Sequence, residues 1–175
     1  LTRIANINTD ILKYMSYAFY NCNLLENIPE FKTNNVSNMD YSFYGCKTIT
    51  SIPAFNTSNV ASMNHTFAEC TSLLEVPIFD YIKITAIEYT YSNCKSLTSI
   101  TMANTNNLTA IPNVFYGCSS MVSVDGLDTT NVTDMSYTFY NCVSLENLEL
   151  NVQSIITMAY TFYGCTKLKY VEFTD

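Results

Sequence analysis

Asn131-Val-Thr-Asp-Met135-Ser-Tyr-Thr-Phe139-Tyr-Asn-Cys142-Val-Ser-Leu145 is the stretch that decides the fold. Its apolar residues do not stand alone, because each heads a column that recurs through the chain. Cys22, Cys46, Cys70, Cys94, Cys118, Cys142 and Cys165 follow one another at intervals of 24, five times, and then 23. Three residues before each cysteine stand Phe19, Phe43, Phe67, Tyr91, Phe115, Phe139 and Phe162. Seven before stand Met15, Met39, Met63, Ile87, Ile111, Met135 and Met158, and ten before stand Leu12, Val36, Val60, Ile84, Leu108, Val132 and Ile155. Apolar residues also stand three and six after each cysteine, as Leu145 and Leu148 do. A fixed period of this length marks a repeat architecture, in which each unit buries its apolar face only against its neighbours.

The segments after the cysteines read as strands. Leu148 and Leu150 lie two apart and therefore share a face. The fold class this predicts is a leucine-rich-repeat-like solenoid. It has a parallel β-sheet with one strand per ~24-residue coil. The segment before each cysteine reads differently. Met135, Phe139 and Cys142 fall at helical spacing, so short helical or 3₁₀ turns are expected on the opposite side. Asn38, Ser62, Asp134 and Thr157 stand where helix N-caps belong. Asn21, Gly45, Asn93, Gly117, Asn141 and Gly164 precede the cysteine, where a left-handed residue would end the turn, and only Glu69 departs from that pattern. Pro29, Pro53 and Pro77 form a further column. Proline cannot donate to a ladder, so the sheet should be weaker in the first three coils. The 23-residue interval places one deletion between Leu148 and Ile155. Residues 1–175 are thus expected to form a single solenoid of about seven coils and eight strands, with Leu1 and Ile4 in the first strand. Its ends lack polar caps, so further repeats or domains are expected on the N-terminal side.

The repeat resembles that of BspA-like leucine-rich surface proteins of bacteria and some protists. The runs at 131–145, 59–73 and 35–49 carry the resemblance. Coil four, with Ile87 for Met and Tyr91 for Phe, departs most. The resemblance implies an extracellular or bacterial cell-surface protein. It would act as a non-enzymatic recognition or adhesion module, binding a protein or glycan on another cell or host. The alternative is a structural spacer, or a receptor-binding part of a larger surface or phage assembly.

Composition narrows the partners. The formal net charge is −7, which disfavours nucleic acid, and no apolar run is long enough for membrane insertion. No cofactor or metal motif is visible: Cys-x-x-Cys spacing is absent and His65 is the one histidine. A repeat spreads like groups along a line, whereas catalysis needs unlike groups at one place, so no enzyme is expected. The seven cysteines share one column and point the same way. They are expected to be buried structural thiols rather than disulfides.

Two surfaces are candidates for binding. The first is a ridge formed by Tyr17, Tyr41, Tyr89, Tyr137 and Tyr160, five before the cysteine, with Tyr20, Tyr44, Tyr116, Tyr140 and Tyr163, two before it. The ridge should be interrupted at His65, Ala68, Ser92 and Asn113. Tyrosine offers large contact area at low entropy cost, but the rings could equally pack on one another. The second is the outer sheet face, with Glu26, Glu75, Asp125, Glu146, Glu149, Tyr170 and Glu172. Its like charges would repel unless screened.

Overall fold

The computed structural model describes residues 1, 2, 4 and 8–174. The expected first strand, around Leu1 and Ile4, lies largely outside the described residues. Successive coils stack in parallel. Bridges link Tyr14 to Asn38, Asn38 to Ser62 and Ser62 to Ala86, then Ala110 to Asp134 and Asp134 to Thr157. Every apolar column named above runs down the middle of this stack. Val36, Met39, Phe43, Cys46 and Ile49 are fully buried, as are their counterparts through Leu145. The column of Phe19, Phe43, Phe67, Tyr91, Phe115, Phe139 and Phe162 forms a continuous inner ladder, with ring centroids 5.2–5.9 Å apart.

The segment before each cysteine corrects the helical expectation. Among the described residues there is no helix. Alternate N–H groups bond within the coil and to the next coil. Ala18 N–H donates to Met15 and Cys22 N–H to Phe19, three residues back, while Met15, Tyr17, Phe19 and Asn21 donate to carbonyls of the following coil. Two residues in each of these segments take a left-handed backbone: the one before the cysteine and the one five before it. A positive φ at the third residue of a turn is the type II pattern, and it stops a right-handed helix from propagating. The Met/Phe/Cys spacing is therefore the pitch of linked turns. Asn21, Gly45, Glu69, Asn93, Gly117, Asn141 and Gly164 all have positive φ. A Cβ at Gly45 would collide with the Asn21 side-chain oxygen of the preceding coil, so asparagine in one coil requires glycine in the next. The would-be N-caps serve turns instead. Asn38 Oδ1 accepts from Asp40 N–H at 2.8 Å and Asp134 Oδ1 from Ser136 N–H at 2.7 Å.

Strands form in fewer coils than expected. Four occur among the described residues: β1 (Ser99–Thr101), β2 (Ser123–Asp125), β3 (Asn147–Asn151) and β4 (Tyr170–Thr174). β1 pairs with β2 and β3 with β4, both in parallel. Coils with Pro29, Pro53 and Pro77 have none. There the inward residues are three apart, Ile52 and Phe55, and Phe55 N–H bonds back to the Pro53 carbonyl at 2.8 Å. In strand coils the inward residues are two apart, Ile100 and Met102 or Leu148 and Leu150, while Glu149 faces out. Phe31, Phe55 and Phe79 stack into a second ladder that fills the proline coils.

Buried hydroxyls hold the coils together. Thr66 Oγ1 reaches the Met39 and Met63 carbonyls at 2.8 and 2.7 Å, and Ser42, Thr90 and Thr138 repeat the arrangement. One proton is shared between two carbonyls that would otherwise lie in a dry core. Coil four departs in a compensated way. Tyr91 replaces phenylalanine and Tyr81 replaces the threonine of its own column, and their fully buried hydroxyls bond each other at 2.8 Å.

Candidate binding surfaces

The left-handed residue five before each cysteine is where five ridge tyrosines sit. Tyr17, Tyr41, Tyr89, Tyr137 and Tyr160 have φ of 55–60°, a conformation rare for bulky residues. The turn hydrogen bonds and the inter-coil ladder hold them there. Their rings stack between coils: Tyr17 on Tyr41 at 4.8 Å and Tyr137 on Tyr160 at 5.0 Å. The expectation of a break at His65 is corrected, because its imidazole lies between Tyr41 and Tyr89 at 4.4 and 4.6 Å. The second column stacks likewise, Tyr20 on Tyr44 at 4.9 Å, and Tyr116 on Tyr140 and Tyr140 on Tyr163 at 4.8 Å. The columns meet within a coil, Tyr41 against Tyr44 at 5.8 Å and Tyr137 against Tyr140 at 5.7 Å. The ridge thus forms two blocks, parted at Ala68, Ser92 and Asn113. Tyr17, Tyr20, Tyr160 and Tyr163 are exposed and the inner rings are half-buried, with one edge outward. Burial, then neighbouring tyrosines and carboxylates, holds the Tyr41 and Tyr89 hydroxyls above their ordinary range. Burial lowers His65, against an opposing pull from Asp40.

The sheet-face residues divide. Glu26 and Glu75 sit in proline coils that form no strand, so they face no sheet. That placement corrects the expectation, and the missing N–H of Pro29 and Pro77 is the cause. Glu146 is engaged by Lys169 at 2.9 Å, which holds its carboxyl below the usual range. Asp125, Glu149, Tyr170 and Glu172 line an open cleft of about 740 Å³ across the outer faces of β2, β3 and β4.

The seven cysteines are free thiols, with Cys46, Cys70, Cys94, Cys118 and Cys142 buried and Cys22 and Cys165 half-buried. From Cys46 onward each Sγ donates to the carbonyl three before the previous cysteine, as Cys70 does to Phe43 at 3.2 Å and Cys118 to Tyr91 at 3.0 Å. Burial pushes Cys46 and Cys118 up to about 12. Among the described residues no three His, Cys, Asp or Glu gather closely enough to hold a metal ion.

A family model described as "BspA type Leucine rich repeat region (6 copies)" matches residues 85–175. The chain belongs to the BspA-type leucine-rich repeat family. Residues 13–124 of this BspA-type chain also match a model described as "Mycoplasma protein of unknown function, DUF285". Among solved structures, a leucine-rich repeat protein from Bacteroides ovatus ATCC 8483 is similar at 16% identity and a TM-score of 0.33, over 93% of this chain and 64% of that one. A leucine rich cell surface protein from Faecalibacterium prausnitzii A2-165 is similar at 14% identity and a TM-score of 0.41, over 96% of this chain and 71% of that one. No curated protein matches. Among the described residues of the BspA-type chain, no helix is long and apolar enough to cross a membrane.

Sequence reasoning missed three features of these BspA-type coils. The threonine column four before the cysteine was legible as a column but carried no apolar signal. The Phe31, Phe55 and Phe79 ladder was hidden because it follows the prolines at a spacing unlike a strand. The cleft was missed because the deletion between Leu148 and Ile155, legible as a shortened coil, does not by itself say which strands will fail to pair.

Proposed function

We propose that this chain is a non-enzymatic recognition module displayed at a bacterial cell surface. It would engage a protein or glycan on another cell or host through the tyrosine ridge. The observation that carries this reading is the pair of stacked ladders. Their rings are already held by stacking on one another, so little side-chain freedom is lost on docking. The repeat itself supplies the test variants. Asn113 and Ser92 occupy the two ridge columns in neighbouring coils, so Tyr41→Asn with Tyr44→Ser, and Tyr137→Asn with Tyr140→Ser, keep tolerated residues at each position. Cells displaying the chain should lose adhesion to panels of host proteins, glycans and cells when both blocks are changed. Unchanged adhesion would end the ridge reading.

The stacking also favours a second reading, a structural spacer. Ring faces spent on one another contribute about 0.5–1.5 kcal/mol per pair to cohesion of the stack. Under that reading the same variants lower stability and leave any adhesion untouched.

A further inference from the structure

The outer ring column has one vacancy. Five residues before the cysteines stand Tyr17, Tyr41, His65, Tyr89, Asn113, Tyr137 and Tyr160, so every coil but one places a ring there. Asn113 keeps the left-handed backbone of the column, with a φ of 59°. Its N–H still donates to the Ser136 carbonyl at 3.0 Å, and its carbonyl still accepts from Tyr116 N–H at 3.1 Å. The coil is therefore in register and only the ring is missing. His65 covers one face of Tyr89 at 4.6 Å, and Tyr160 covers one face of Tyr137 at 5.0 Å. Among the described residues, no ring stacks on the faces these two turn towards Asn113. Two coil steps separate them, roughly 9.6 Å, so the space between them has the thickness of one ring.

This gap stays open, unlike the others in the ridge. Ala68 and Ser92 also replace tyrosine, but they are only 2% and 5% exposed, because neighbouring side chains close over them. Asn113 is half-buried, and an asparagine side chain ends well short of where a tyrosine hydroxyl would stand. Its amide is also unengaged. The amides of Asn93, Asn107 and Asn131 donate to Glu69, Ile84 and Asn106, whereas that of Asn113 has no hydrogen-bond partner among the described residues. Tyr116 stands beside it in the same coil, held by its stack on Tyr140 at 4.8 Å. Burial, then Glu88, Tyr116 and Tyr137, holds the Tyr89 hydroxyl above its ordinary range, so these polar groups gather at the rim.

The gap thus has two flat apolar walls, an amide at its base, and hydroxyls and a carboxylate at its rim. Apolar walls with a few placed polar groups are the usual make-up of a small-ligand site. The occupant must be apolar on both faces and hydrogen-bonding around its edge. An aromatic side chain would suit the walls and leave the amide and hydroxyls without partners. An acidic sugar would meet Glu88. A hexopyranose with every hydroxyl equatorial meets both demands. Its C–H bonds form two apolar faces, and its hydroxyls lie around the perimeter.

We propose that the gap at Asn113 binds one neutral hexopyranose ring of gluco configuration, part of a glycan, held between Tyr89 and Tyr137 with its hydroxyl edge on the Asn113 amide. The proposal rests on the ridge as the binding surface and narrows its partner to a glycan.

The test titrates the whole chain with methyl β-D-glucopyranoside, followed by saturation-transfer NMR. A dissociation constant in the millimolar range is expected, as suits a single sugar ring. Asn113→Tyr fills the gap with the residue the column uses elsewhere. It should unfold no earlier than the parent in urea and bind the glucoside at least about tenfold more weakly. Asn113→Gly keeps the left-handed backbone and removes the amide, and should weaken binding about three- to tenfold. Methyl β-D-galactopyranoside turns one hydroxyl onto a ring face and should bind at least about fivefold more weakly. Equal affinity for the two sugars, equal binding by the parent and Asn113→Tyr, or no binding at tens of millimolar would overturn the proposal. Tighter binding of N-acetyl-tyrosinamide, lost in Asn113→Tyr, would overturn it in favour of an aromatic side chain. Cell adhesion that survives Asn113→Tyr but is lost when both tyrosine blocks are changed would overturn the gap and leave the ridge reading standing.

Discussion

Changing Tyr91 to phenylalanine restores the residue found in every other coil at that position, and yet it should destabilise the protein. The hydroxyls of Tyr81 and Tyr91 are fully buried and bonded to each other at 2.8 Å. Burial pushes both hydroxyls well above the ordinary tyrosine range, so the pair stays neutral and the bond is between two hydroxyls. Removing one leaves the other in a dry core without a partner, at a cost of about 1–3 kcal/mol. Tyr81→Phe alone should cost a similar amount. Removing both leaves nothing unsatisfied, and the double variant should lie within about 1 kcal/mol of the parent. With each single variant costing about 2 kcal/mol, the cycle then yields a coupling of about 3–4 kcal/mol between the two positions. In urea, with a slope of roughly 2 kcal/mol per molar, each single variant should unfold about 1 M earlier, and the double variant near the parent. If the double variant loses the sum of the two singles, the hydroxyls do not depend on each other and the account of coil four is wrong.

Val114 interrupts the buried threonine column, so Val114→Thr should add a hydroxyl reaching the Ile87 and Ile111 carbonyls; a gain of about 0.5–1 kcal/mol in urea unfolding is expected, and a loss would refute the shared-proton role. Native-state labelling with a thiol reagent, read by peptide mass, should mark Cys22 and Cys165 and spare the five buried cysteines until unfolding. Thiols held near 12 favour the protonated form in the folded state, so their contribution to stability is intact below about pH 8.5 and is lost as pH rises towards 12; urea midpoints should fall over that window. His65 has the opposite sense: its lowered value favours the neutral ring, so stability is full above about pH 6.5 and falls as pH drops through the folded value. His65→Tyr, which continues the ring column, should remove that acid sensitivity, and an unchanged pH profile would refute the assignment. Gly45→Asn should be destabilising against Asn21, and adding Asn21→Gly should recover most of the loss; no recovery would show that the asparagine–glycine alternation is not a steric pairing.

The inner columns were legible because burial demands apolar residues, and a repeat states that demand once per coil. Met39, Phe43 and Cys46 needed no structure to be placed together. The proline column was legible for a similar reason: a missing donor acts alike in any context, and the first three coils form no strand. The helical reading of 135–142 failed because spacing alone cannot separate a helix from linked turns. Both bring residues four and three apart to one side. The discriminating signal was present in the tyrosines themselves. Asn113 shares their column, and asparagine is enriched where φ is positive. Of the two candidate surfaces, the ridge could be located to the residue, since its rings recur at a fixed offset. The sheet face could not, since Glu26 and Glu75 match Glu149 in type but stand in coils of a different kind.

The gap at Asn113 follows a different logic from the rest of the molecule. A strict repeat makes every coil alike, and a surface of like coils has no place where one spot differs chemically from the next. A site requires the symmetry to be broken somewhere. Substitutions such as Tyr81 and Tyr91 break it inside the core, where the two changes cancel and the outside is unaffected. Asparagine at 113 breaks it on the outside, where no second change cancels it. The backbone of that coil stays in register, the ring alone is missing, and Tyr89 and Tyr137 each keep one face without a stacked ring. A single substitution is therefore also the place where this otherwise uniform stack gains a position unlike its neighbours.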